Sequence, residues 1–69
     1  MVWLTKLNGD KILVNADLIE FVETAPDTII TLQSGKKILV RESPDDIVSR
    51  IIEYRAKVLK EKEDLFNHD

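Results

Sequence analysis

The sequence predicts an α+β domain: a small antiparallel sheet of about five strands, built from two similar hairpins and followed by one C-terminal helix. Three observations carry this reading. The stretch WLTKLNGDKILV, from Trp3 to Val14, returns without a gap as IITLQSGKKILV, from Ile29 to Val40. Each copy sets two short apolar runs around a turn that contains Gly, which is the pattern of a hairpin. After Ser43 the spacing of apolar residues changes to that of a helix.

The repeat is close. Thr5/Thr31, Gly9/Gly35, Lys11/Lys37, Ile12/Ile38, Leu13/Leu39 and Val14/Val40 are identical pairs at an offset of 26 residues. The turns are LNG and QSG. Gly supplies a positive φ without steric cost, and Asn8 and Ser34 are ordinary turn residues. A two-residue Asn-Gly turn would scatter apolar residues over both faces. A three-residue loop ending in Gly pairs Lys6 with Asp10, Leu4 with Ile12 and Val2 with Val14. Val2, Leu4, Ile12 and Val14 then share a face, and opposite charges meet near the turn. The same rule pairs Leu32 with Lys36, Ile30 with Ile38 and Thr28 with Val40 in the second copy.

The other face carries Trp3, Leu13, Ile29 and Leu39, spaced by Thr5, Thr31, Lys11 and Lys37. A sheet with one solvated face alternates cleanly between apolar and polar residues. Here both faces carry large apolar groups, and one helix can cover only one of them. Trp3, Leu13, Ile29 and Leu39 are therefore the candidate interaction face, and a homo-oligomer is expected to bury it.

Between the hairpins, Asn15, Ala16 and Asp17 predict a turn or one helical turn. Ile19 to Thr24 predict a strand with Ile19 and Phe21 on one face and Val22 on the other. Pro26 and Asp27 predict the next turn.

The helix begins at Ser43, an N-cap residue. Pro44 takes the first helical position, and Asp45 and Asp46 lie against the positive end of the dipole. Ile47, Val48, Ile51, Ile52, Val58 and Leu59 form its apolar stripe, and Glu53/Lys57 is a favourable pair. From Pro44 to Phe66 such a helix spans about 34 Å, whereas a six-residue strand spans roughly 20 Å. The helix therefore outruns the sheet. Ile51/Val58/Leu65 and Ile52/Leu59/Phe66 repeat every seven residues, as in a short coiled-coil seam, which makes Leu65 and Phe66 candidate helix-end contacts. The expected organisation is one sheet-plus-helix domain over residues 1–60 and a helix extension or frayed tail over 61–69.

Composition narrows the function classes. The 69 residues are 43% hydrophobic and 33% charged, with net charge −3 and no Cys, which predicts one folded domain without disulfides or thiolate metal sites. A mildly acidic chain argues against nonspecific nucleic-acid binding. No apolar run is long enough to span a membrane, and no secretory leader pattern opens the chain, so membrane insertion is not expected and a cytoplasmic location is. The only histidine is His68, without a catalytic partner. No nucleophile triad, paired-histidine metal spacing or phosphate-binding glycine loop is present. The reading is a non-enzyme that uses no cofactor. Trp3, Phe21 and the helical pair Tyr54 and Phe66, themselves twelve residues apart, fall on three elements and form no stacking platform for RNA. Lys11, Lys36, Lys37 and Arg41 read as solvated strand positions that discourage edge pairing.

LTKLNG, followed by NADLIEFVETAPDTIITLQSGKKILVRESPDDIV, resembles the small FlbD-type flagellar proteins, also called SwrD, over residues 1 to about 58. The resemblance implies a cytoplasmic, non-enzymatic accessory of the bacterial flagellum that supports motor output and swarming. It would act near the flagellar base through contacts with a flagellar motor or assembly protein. It offers no catalytic residues, and Leu65 and Phe66 lie outside it. A weaker resemblance is to the carbon storage regulator proteins, which bind messenger RNA. They too open on a strand like MVWLTK and close on a helix after a strand like VRESPDDIVSRI. Arg41 matches their basic strand-to-helix junction in type, but Glu42, Asp45 and Asp46 surround it with negative charge. An RNA-binding regulator is the alternative reading.

Overall fold

The computed structural model describes residues 1–24 and 26–66, with side chains through residue 61. Five antiparallel strands are followed by a single helix: β1 (Val2–Thr5), β2 (Lys11–Val14), β3 (Ile19–Glu23), β4 (Thr28–Leu32), β5 (Lys37–Val40) and α1 (Pro44–Phe66). A 3₁₀ turn, Ala16–Leu18, links the first hairpin to β3.

Both hairpins adopt the register expected from their apolar pattern. Val2 faces Val14 and Leu4 faces Ile12 in the first; Thr28 faces Val40 and Ile30 faces Ile38 in the second. The turns close alike. The Lys6 and Gly9 amides donate to Asp10 and Lys6 carbonyls at 2.8 and 2.9 Å, and the Leu32 and Gly35 amides donate to Lys36 and Leu32 carbonyls at 2.8 Å. Gly9 and Gly35 have φ of 97° and 90°, which is why the repeat keeps Gly at both places.

The strands form two small sheets, β1–β2 and β3–β4–β5, where the sequence predicts one. A single bridge between Lys6 and Val40 joins them, reinforced by the Arg41 amide donating to the Thr5 carbonyl at 2.8 Å. The junction is therefore where the end of β1 crosses the end of β5.

One strand expectation needs correction. A register shift between Ile19 and Phe21 breaks the alternation of β3. An extra residue moves everything beyond it to the opposite face. Ile19 and Val22 consequently pack against the core, and Phe21 is exposed. Thr31 is buried. It lies on the central strand of its sheet, paired with Phe21 on one side and Lys37 on the other, and its Oγ1 has no hydrogen-bond partner.

The core gathers Val2, Leu4, Val14, Ala16, Ile30, Val40 and Ile47, with Ile12, Ile38, Ile51 and Tyr54 packed at its margin. These are the inward positions of both hairpins and the first turns of α1. Ser43 caps the helix: its Oγ accepts the Asp46 amide at 3.1 Å, and its carbonyl accepts the Ile47 amide at 3.0 Å. The apolar stripe on α1 is only partly used. Ile47 is buried and Ile51 half-buried, whereas Val48, Ile52 and Leu59 face solvent. The helix continues past Leu59 to Phe66. The molecule measures 51 Å along its long axis against 23 and 19 Å across, since α1 outruns the strands beneath it.

Candidate interaction surface

The outer apolar residues sit in two cross-strand pairs, Trp3 opposite Leu13 and Ile29 opposite Leu39. Trp3 is 56% exposed, Leu13 48% and Leu39 39%; Ile29 is half-buried. The sheet-outward alternation of the sequence accounts for this placement, and each pair lies on its own sheet. The side chains of Leu65 and Phe66, and all of His68, lie outside the described residues.

Trp3 is held in place by a network that periodicity alone does not reveal. Among the described residues, the edge of β1 that faces away from β2 meets no strand beyond the Lys6–Val40 bridge. Three polar groups close it instead. The Thr5 amide donates to Glu42 Oε1 at 2.7 Å, the Arg41 amide donates to the Thr5 carbonyl, and Arg50 Nη1 donates to the Trp3 carbonyl at 2.6 Å. The same guanidinium lies 3.5 Å from Glu42 Oε2. A free strand edge is a template for pairing with another chain. Here the Thr5 amide and carbonyl and the Trp3 carbonyl are taken internally, which blunts this stretch of the edge and leaves the exposed side chain of Trp3 as the larger surface for contact.

Glu42 is buried at 8% exposure, so its charge must be balanced. Burial pushes its carboxyl upward, but the Thr5 hydrogen bonds, its own amide and the Arg50 charge together outweigh this and hold it below the usual Glu value. A depressed pKa stabilises the fold above the unfolded value of about 4.3, and that contribution disappears as pH falls through the lower, folded value. Glu42→Gln should therefore reduce stability at pH 7 by about 1.5 kcal/mol, the lower end for a hydrogen bond to a charged group. Urea unfolding at a series of pH values should show the gap between variant and wild type shrinking below about pH 4. A gap independent of pH would mean that the Glu42 charge does not anchor β1.

The basic residues take the exposed positions expected of them, with one addition. Arg41 donates from Nε and Nη2 to the Leu7 carbonyl at 3.2 and 2.8 Å, bracing the first turn. Lys11, Lys36 and Lys37 are solvated. Asp45 and Asp46 belong to the first turn of α1, as the helix-start reading requires. Arg55 approaches Asp17 at 3.5 Å, but both are largely exposed and such a pair contributes little.

A family model described as flagellar and swarming motility proteins, FlbD, matches residues 1–59. The chain belongs to the FlbD family. The FlbD match spans every strand and ends at Leu59, so the last turns of α1 lie beyond it. Comparisons with curated proteins and with solved structures give no significant match. No helix among the described residues is long and apolar enough to cross a membrane, and no group of described side chains is arranged to hold a metal.

Proposed function

We propose that this FlbD-family chain is a non-enzymatic, cytoplasmic accessory of the flagellum that supports motor output and swarming through protein–protein contact. The observation that carries the reading is the family match over residues 1–59. The fold adds two outward apolar cross-strand pairs suited to such contact, Trp3 with Leu13 on one sheet and Ile29 with Leu39 on the other. Exposed apolar patches of this kind commonly mark interaction sites. The contact surface is Trp3, Leu13, Ile29 and Leu39, with Leu65 and Phe66 as further helix-end contacts, and the working form is a homo-oligomer that engages a flagellar motor or assembly protein.

Genetic complementation tests this. Deleting the gene should impair swarming while growth in liquid medium is unchanged. The wild-type gene should restore swarming, and a Trp3→Asp version that accumulates to the same level should not. Normal motility in the deletion strain would overturn the functional reading. Full rescue by Trp3→Asp would remove the outer face from it.

A further inference from the structure

The two hairpin tips converge on an open cleft of about 390 Å³ that neither hairpin has alone. Ile12 comes from the first copy of the repeat and Ile38 from the second, at equivalent positions. Both are half-buried against the core and form an apolar floor. Leu7 and Leu39, 41% and 39% exposed, form apolar lips. Lys6, Lys36 and Lys37 stand around them.

The charge of this cleft runs against that of the chain. The chain as a whole is net −3, yet among the described residues no acidic one lines the cleft. Asp10, on the same turn, is not a lining residue; its Oδ2 accepts from Nδ2 of Asn8, which does line the cleft, at 3.2 Å. Among the described residues the ion pairs are Arg50–Glu42 and Arg55–Asp17, so the three lysines are not neutralised from within. A concave site lined by one sign of charge raises the local concentration of the opposite sign. A small cleft with an apolar floor and a few placed polar groups is the usual form of a binding site.

We propose that the cleft binds a short peptide segment of a partner protein in which carboxylates flank apolar side chains. The apolar groups would cover Ile12 and Ile38, and the carboxylates would meet Lys6, Lys36 and Lys37. An acidic-apolar peptide fits better than a nucleic acid. Among the described residues no aromatic one lines the cleft, so bases find no stacking surface there. This surface is distinct from the Trp3–Leu13 pair and shares only Leu39 with the outer face, so its failure would leave the flagellar reading standing.

The test is an amide NMR titration of the full chain with three probes: a synthetic peptide alternating Asp or Glu with Leu, its counterpart with Lys for every acid, and a short single-stranded RNA. The acidic peptide should shift amides at the two hairpin tips in a saturable way, and the Lys counterpart should not. Lys36→Glu/Lys37→Glu, at two exposed positions, should weaken the acidic peptide about tenfold. Lys36→Gln/Lys37→Gln replaces it if charge reversal disturbs the fold. Absence of tip shifts at about 1 mM acidic peptide, equal shifts from the Lys peptide, or tip shifts produced by RNA at lower concentration would each overturn the proposal.

Discussion

Replacing Ile47 with Ala should destabilise the fold by about 2–5 kcal/mol, the range for truncating a fully buried aliphatic side chain. Ile47 has 0% exposure and stands in the first turns of α1, where the helix meets the core around Leu4, Ile30 and Val40. A domain of this size has a stability near the lower end of the roughly 5–15 kcal/mol range. The variant should therefore show partial unfolding at room temperature by far-UV circular dichroism or urea titration. Ile51→Ala should cost less, because Ile51 is half-buried at the margin of the core. Ile52→Ala serves as the control on the same helix. At 62% exposure it should change stability by no more than about 0.5 kcal/mol. If Ile47→Ala behaved like Ile52→Ala, α1 would not be docked through its first turns.

This contrast shows where the sequence is legible. Helical spacing places Ile47, Val48, Ile51 and Ile52 on one broad stripe, but a stripe says nothing of how much surface lies opposite. The small sheets reach Ile47 and the flanks of Ile51 and Tyr54, and Val48 and Ile52 remain outside. The hairpin registers are legible because, of the turns that Gly9 and Gly35 allow, only the three-residue loop gathers the inward apolar residues on one face, and a period of two then fixes every pair. The shift in β3 is not legible, since nothing in Ile19–Glu23 marks an extra residue by composition. The division into two sheets follows from the crossing at Lys6 and Val40, a long-range event with no local signal.

The same limits apply to the surface. Trp3, Leu13, Ile29 and Leu39 can be read from the alternation because both faces of each hairpin carry apolar groups. Glu42 reads as one more acidic residue near the start of the helix. Its role emerges only when folding brings Thr5, 37 residues away, within 2.7 Å of its carboxylate. The tip cleft is likewise a product of two hairpins meeting. Each contributes half of it, and neither half resembles a site in sequence.

The remaining prediction concerns why the chain repeats itself. Each hairpin offers one large apolar pair outward, and Trp3, though it borders Arg50, Glu53, Tyr54 and Lys57 of α1, stays 56% exposed, and Leu13 48%. Water exposure of such groups forfeits about 25 cal/mol for every Å² that a partner would bury, and a second copy of the chain always supplies a surface of matching character. Sedimentation analysis at micromolar concentration should accordingly show a closed symmetric oligomer rather than a monomer. Trp3→Asp should dissolve it, because an aspartate at the contact would be desolvated without a counter-charge. The substitution leaves the backbone bond from Arg50 to the Trp3 carbonyl available, so the helical signal should persist in the dissociated form. Ile29→Asp, on the second hairpin, should act in the same direction, more weakly on assembly and more strongly on folding, since Ile29 is already half-buried. A purely monomeric wild type would sink self-association and leave the face for a flagellar partner. Unfolding of Trp3→Asp would instead show that the outer face belongs to the chain's own core, and that the repeat serves folding rather than contact.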